Sequence, residues 1–354
     1  MKVMTIVGTR PELIRLSLVI PKLDKYCEHI LVHTGQNYDP NLKDIFFEEL
    51  GIRQPNITLK CKTSGDIISA IEPVLQSECP DKVLILGDTN SGLSAIVAKK
   101  MGIPVIHMEA GNRCYDDRVP EETNRRVIDH SSDILLPYTE RSRQNLIREG
   151  IDNKRIFVTG NPIGEVIGHY SCKIGKSNIL ATLGLFPDRY FLATFHRAEN
   201  VDNMKRLISI INSLKRLNVH YLIPIICSIH PHTRKNIELF GIDTTGLTLC
   251  EPFGFFDFVH LESNAKCVIS DSGTVQEECC IIGTSNVTIR DTTERPETIE
   301  CGSNIISGVE CENIMRCVEM ALNMRMWKSP YEYRQTNVSD TIVKIMCSEA
   351  KCLK

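Results

Sequence analysis

Apolar runs of five to eight residues recur along the whole chain, each followed by a longer helical pattern, and this alternation constrains the fold more than any other feature. Strands separated by helices are joined by crossovers, so they lie parallel, with helices covering both faces of the sheet. In the first half the strand runs are "KVMTIV" (2–7), "HILVHTG" (29–35), "KVLILG" (82–87), "PVIHME" (104–109), "DILLPY" (133–138) and "RIFVTG" (155–160). Helices fit between them at 11–26, 41–50, 66–77, 91–101, 121–131 and 139–148. The pattern restarts at "YFLATF" (190–195) and continues through 222–229, 247–252, 266–271, 285–290 and 304–308. The stretch 169–189 carries few strong elements and reads as a connector, and a last helix starts at a Ser339 cap. The expected architecture is α/β: two doubly wound, Rossmann-like domains facing across a cleft.

Composition narrows the class. With 42% hydrophobic and 24% charged residues the chain is globular. A net charge of −3 gives no basic field for nucleic acid or an anionic membrane, and no run approaches the roughly 18 apolar residues of a membrane span. The 15 cysteines form no C-x-x-C pair and sit in apolar contexts, which fits free thiols in a reducing cytoplasm and no metal site.

In open parallel sheets, ligands bind beyond the carboxyl ends of the strands. Polar motifs gather at those positions: "GTRPE" (8–12), "HTGQN" (33–37), "GDTNS" (87–91) and "EAGNR" (109–113), then "FHRAEN" (195–200), "SIHPHTR" (228–234), "DSGTVQEE" (271–278) and "RDTTERPE" (290–297). Arg10 stands where a strand turns into a helix. Ser272 and Gly273 offer a hydroxyl and closely approaching N–H groups to phosphate, and Glu278 lies about one and a half turns further on, suited to a ribose diol. With no G-x-x-x-x-G-K-[ST] or G-x-G-x-x-G motif, these point to a diphosphate held without a P-loop. The densest charge lies in "IHMEAGNRCYDDRVPEETNRRVIDH" (106–130). Pro120 starts a helix there, so Glu121, Arg125 and Asp129 share one face, while Glu122, Arg126 and His130 form a neighbouring row that reads as solvated helix charge. Asp88 and Glu109 each end an apolar strand. With Glu121 they form a candidate carboxylate cluster for general acid–base work, matched in the second half by His196.

Taken together, "VGTRPELIRLS", "HTGQNYD", "GDTNS", "HMEAGNR", "PEETNRR", "VTGNPI", "HRAENVDN", "DSGTVQEE" and "RDTTERPE" resemble the non-hydrolysing UDP-N-acetylglucosamine 2-epimerase family from end to end. "HMEAGNRC" and its neighbours look closest to the branch acting on UDP-2-acetamido-2,6-dideoxy-L-hexoses, such as UDP-N-acetyl-L-fucosamine. The resemblance implies the GT-B arrangement: an N-terminal domain at 1–168, a UDP-binding domain at 169–337, and a C-terminal helix at 338–354 returning to the first domain. It also implies a homodimer, a UDP-sugar substrate and no cofactor. The reaction would be anti elimination of UDP to a 2-acetamidoglycal, followed by syn return of UDP. By this resemblance Asp88, Glu109 and Glu121 move the proton and His196 binds or protonates the diphosphate. Arg10, Arg15, Arg125, His230, Ser272, Gly273 and Arg295 would surround the substrate, Phe258 would offer its backbone to uracil, and Glu278 would hold the ribose. The chain departs from the common pattern at Arg15, where many relatives carry lysine, at Asn112 and Cys114 in the "EAGNRC" loop, at Ala198 in "HRAEN", and in "GTSNVTIR", which replaces a "GKPV" lead-in. Competing readings are UDP-N-acetylglucosamine as the substrate, a hydrolysing variant that releases free sugar, and a GT-B glycosyltransferase.

Overall fold

A computed structural model describes residues 1–35 and 46–348. Gln36 and Asn37 of the "HTGQN" turn, the first half of the expected helix at 41–50 and the end of the C-terminal segment lie outside the described residues. The chain divides into two compact units: Met1–Gly168 with the segment from Tyr331 onward, and His169–Pro330.

The first unit holds a six-stranded parallel sheet of β1 (Lys2–Val7), β2 (Glu28–His33), β3 (Ile57–Thr58), β4 (Lys82–Leu86), β5 (Val105–Met108) and β6 (Ile134–Leu136), in the order β3-β2-β1-β4-β5-β6. The second unit repeats the plan with β7 (Phe191–Thr194), β8 (Ile225–Ser228), β9 (Thr248–Cys250), β10 (Cys267–Ser270), β11 (Asn286–Thr288) and β12 (Asn304–Ile306), ordered β12-β11-β10-β7-β8-β9. Both are doubly wound sheets whose strand order reverses next to the first strand of the unit, at β1/β4 and at β7/β10.

The strands are apolar almost throughout because helices cover both faces. In the first sheet Met4, Ile6, Val32, Val83 and Ile85 pack with Ile71, Leu75 and Ile128. In the second, Phe191, Ala193, Cys227 and Ile269 pack on one side with Leu207, Ile211, Leu214 and Val318. Its other side sets Tyr190, Leu192, Ile226 and Val268 against Leu261, Val275 and Cys279. Each fully buried aliphatic side chain contributes about 1.5–3 kcal/mol.

Five expectations are corrected. "RIFVTG" is not a sixth strand: residues 153–155 form a 3₁₀ turn and only Ile156 bridges to Leu135, while the sixth strand is the two-residue β3 at the opposite edge. Two residues in "PNITLK" are too short to give a period. The helix expected at 11–26 is broken into Arg10–Leu16 and Ile20–Tyr26, because Pro21 cannot donate to the preceding turn. The connector begins inside a 14-residue helix, Pro162–Gly175. Residues 331–337 belong to the first unit, where Asn161 N–H donates to Glu332 O at 2.9 Å and Tyr333 is buried. The C-terminal helix, Val338–Cys347, is preceded by Asn337 as cap rather than Ser339. Ser339 is buried instead and donates through N and Oγ to the two Glu165 carboxylate oxygens at 2.7 and 2.6 Å.

Candidate active site

In the first unit the polar groups collect beyond β1, β4 and β5. Glu109 follows β5 with φ of +66°, a left-handed conformation that a glutamate adopts at a cost of about 1–3 kcal/mol. Its carboxylate is buried and held by three donors: Arg15 through an ion pair, Tyr138 OH at 3.2 Å and Asn112 Nδ2 at 3.3 Å. Arg15 also lies 5.7 Å from the centre of the Tyr138 ring. Asn112 is oriented in turn by Ser142, whose Oγ donates to Asn112 Oδ1 at 2.9 Å. Gly111 (φ +79°) lets the chain pass close beneath: a Cβ there would meet Ser142 O at 2.3 Å.

Asp88, after β4, pairs with Arg125 (Nε to Oδ2, 2.9 Å). The same guanidinium donates to Glu122 Oε2 at 2.7 Å, so Arg125 is buried between two carboxylates. Glu121 is half-buried in the first turn of the helix Pro120–Ser131. Glu122 corrects the sequence reading. It is fully buried, not solvated helix charge, and also accepts from the Cys114 and Tyr115 N–H groups, each at 3.1 Å. Burial raises its pKa, but these donors and Arg125 outweigh burial and hold it below the usual glutamate value. Arg126 and His130 of the same row do remain at the surface.

Asp129, one turn on from Arg125, is fully buried and bonds His107 Nδ1 at 2.8 Å, Arg113 NH2 at 2.8 Å and Gly111 N–H at 3.1 Å. Burial pushes its pKa up, yet His107 and Arg113 pull it below the aspartate norm. This network fixes the loop that carries Glu109.

Beyond β1, Arg10 opens the helix Arg10–Leu16 and its guanidinium lies 5.4 Å from the Phe46 ring centre, where burial lowers its pKa. Glu12 of "GTRPE" is buried and accepts from Gly8 N (2.5 Å), Thr9 N (2.7 Å) and Thr89 Oγ1 (2.6 Å), tying the β1 loop to the β4 loop at the switch point. Burial pushes its pKa up to about 7 in spite of those donors.

In the second unit the switch point is closed by Asp271, which ends β10. It accepts from His196 N (3.0 Å), Arg197 N (3.0 Å) and Asn200 Nδ2 (3.0 Å), fixing the loop after β7. The His196 side chain is 45% exposed, its Nδ1 is 3.6 Å from Asp271, and its ring centre is 6.5 Å from that of His230. His230 caps the helix Pro231–Leu239 and accepts from His232 N at 3.2 Å.

Ser272 and Gly273 open the helix Gly273–Ile282, with Glu278 buried one turn further along. Gly273 sits tightly: a Cβ would lie 2.6 Å from Glu294 Oε1. Arg295 donates to Glu277 Oε1 at 2.5 Å, and Glu294 accepts from Arg290 (2.8 Å) and Arg197 (3.3 Å). Phe258 lies inside the helix Phe255–Asn264, where its N–H already donates to Gly254 O at 2.9 Å. That N–H is not available to a base, which narrows the expectation to its carbonyl or ring.

The structure thus gathers Arg15, Glu109, Asp88 and Arg125 in the first unit, and His196 with His230 in the second. Sequence reasoning gave no role to Glu12, Glu122, Asp129 and Asp271. Asp271 carried the same signal as Asp88 and Glu109, an acid ending an apolar strand, and could have been found that way. Among the described residues no group of three or more His, Cys, Asp or Glu side chains could hold a metal ion. No helix among them is long and apolar enough to cross a membrane.

A family model described as UDP-N-acetylglucosamine 2-epimerase matches residues 22–347. The chain is 41% identical, over 94% of its length and 95% of the relative's, to a UDP-N-acetylglucosamine 2-epimerase of Methanocaldococcus jannaschii. It is 36% identical to the UDP-2,3-diacetamido-2,3-dideoxy-D-glucuronate 2-epimerase of Pseudomonas aeruginosa, over 91% of this chain and 92% of that one. It also matches the crystal structure of Methanocaldococcus jannaschii UDP-GlcNAc 2-epimerase in complex with UDP-GlcNAc and UDP, with a TM-score of 0.93, 41% identity and coverage of 98% and 99%.

Proposed function

This chain belongs to the UDP-N-acetylglucosamine 2-epimerase family and is a UDP-sugar 2-epimerase, and on that premise we propose that it inverts carbon 2 of a UDP-2-acetamido sugar without net hydrolysis, with UDP-N-acetylglucosamine as first substrate. The observation that carries the reading is Glu109: a buried carboxylate on strained backbone, aimed by Arg15, Tyr138 and Asn112. Such a group suits removal of a weakly acidic C2 proton, since burial withholds water and the donors fix the direction in which the carboxylate points.

The reaction proceeds by elimination. As the C2 proton leaves to a carboxylate, the C1–O bond to UDP breaks and a C1–C2 double bond forms, giving the 2-acetamidoglycal. UDP then returns to C1 while a proton is delivered to the opposite face of C2. Two proton-transfer faces need two groups, and Glu109 has Asp88 and Glu121 as partners for the second. Arg125, held by Glu122, orients Asp88. Charge develops on the departing diphosphate, where Arg10, Arg295, His196 and the N–H groups of the Ser272–Gly273 helix start stabilise it. Burial already disfavours the Arg10 charge, so an anion beside it is favoured. His230 adds to the diphosphate side, Phe258 flanks the uracil and Glu278 takes the ribose hydroxyls.

A 2,6-dideoxy-hexose remains the second reading, favoured by one feature. Asn112 and Cys114, which depart from the common family pattern, touch Glu109 and Glu122 directly. Proton NMR in D₂O with UDP-N-acetylglucosamine and a panel of UDP-2-acetamido-2,6-dideoxy-L-hexoses separates the cases. Deuterium entering C2, with the 2-epimer appearing, identifies the substrate. Free sugar plus UDP without an epimer points to the hydrolysing variant, and no exchange on any compound overturns the reading. A homodimer is carried over from the family resemblance, and sedimentation equilibrium tests it.

A further inference from the structure

One buried acid takes no part in this account. Glu262 lies in the helix Phe255–Asn264, fully buried, and among the described residues no N–H or O–H donor reaches either of its carboxyl oxygens. Nearby hydroxyls are otherwise engaged: Tyr190 OH donates to Leu261 O at 2.5 Å, and Thr284 Oγ1 donates to the main-chain oxygen of Glu262 at 2.9 Å. The side chain that meets Glu262 is that of Glu278, another buried carboxyl, on the helix Gly273–Ile282. Two carboxylates cannot bond to each other; one carboxylic acid and one carboxylate can, through a shared proton.

We propose that Glu262 is a neutral carboxylic acid that donates its proton to the Glu278 carboxylate, and so is the positioning residue of the ribose site. The inference rests on the reading of Glu278 as the ribose-binding group. A carboxylate gripping a vicinal diol needs both oxygens held in one plane facing the ligand. Glu278 projects from a helix on a side chain of several rotatable bonds, and a strong O–H···O⁻ bond from Glu262 favours one orientation of its carboxylate. The proton belongs to Glu262 because it is the more deeply buried of the two, and an ionised carboxylate with no donor is far costlier than a neutral acid. Burial pushes the Glu262 pKa well above the ordinary glutamate value, and the Glu278 charge pushes it further in the same direction.

The test measures binding of UDP and of 2′-deoxy-UDP by calorimetry in the wild type, E262Q and E262M. The wild type is expected to prefer UDP by about tenfold, one hydrogen-bonded hydroxyl's worth. E262Q, whose amide still donates, keeps that preference. E262M, which fills the space but cannot donate, loses most of it, and methionine in this apolar setting leaves the fold intact. An undiminished preference in E262M overturns the Glu262 role while leaving Glu278 on the ribose. No preference in the wild type overturns the ribose reading itself, and the role of Glu262 falls with it. Should E262M fail to fold, difference infrared spectroscopy of wild type against E262Q decides: a carboxylic-acid C=O band at neutral pH supports the proposal, and its absence overturns it.

Discussion

The two units share one strand order, yet their acids do opposite work. In the first, Asp88, Glu109, Glu122 and Asp129 are matched to arginines and a histidine, so these carboxylates face cations. In the second, Asp271 spends its oxygens on backbone N–H groups and an asparagine, holding the His196 loop, while Glu262 and Glu278 are two buried carboxyls that face each other. In the proposed reading the first copy of the doubly wound scaffold carries the proton chemistry and the second holds the ribose and most of the diphosphate, with Arg10 of the first also at the diphosphate. The loops at the carboxyl ends differ, and the sheets do not.

Substitutions can break this division of labour. The largest effect is expected from E109Q: turnover and C2 deuterium exchange fall about 10²–10⁴-fold while UDP affinity stays within about threefold. A parallel loss of UDP binding would show that the first unit is not specialised for proton transfer. Next comes the adjacent pair Glu121 and Glu122. E122Q leaves buried Arg125 short of a counter-charge and lowers stability by about 3 kcal/mol, whereas E121Q changes stability by less than about 1 kcal/mol and lowers turnover. Urea titrations beside initial rates read both; equal destabilisation by the two would erase the contrast.

Titration sharpens it further. Glu12 keeps its proton in the native state up to about pH 7, while in the unfolded chain it releases it near 4.5. The native state thus holds the extra proton between those values, and stability falls as pH rises through that window, by roughly 3 kcal/mol at most. Glu122 and Asp129, with depressed native pKa values, act oppositely, and their stabilisation is lost only as pH drops below the usual carboxylate range. E12Q should flatten the urea midpoint between pH 4.5 and 7 and leave the acid limb unchanged. The smallest effect is expected in the second unit from G273A, whose methyl would crowd Glu294 at the helix start. UDP affinity should weaken about tenfold, near 1.4 kcal/mol, with C2 exchange at saturating substrate barely altered. A fall in saturated exchange as large as that of E109Q would mean the second unit also carries the chemistry.

Much of this was legible in the chain itself. Eleven of the twelve strands, the restart near residue 190 and the polar motifs at strand ends follow from apolar runs and turn residues, which are properties of neighbours along the sequence. The two-residue β3 and the false strand at 155–160 were not legible, because pairing at a sheet edge depends on which segment arrives there. Nor could Glu121 be told from Glu122: consecutive residues of one helix differ only in what covers them, here Arg125 and the Cys114–Tyr115 turn. Asp271, Glu12 and Glu262 make the same point. The sequence by itself determined the doubly wound α/β class and the loops in which chemistry is placed, because periodicity and strand-end position are local. Which acids are buried, which are paired and which keep a proton was decided by the tertiary structure alone. Desolvation and ion pairing are set by groups tens to hundreds of residues away.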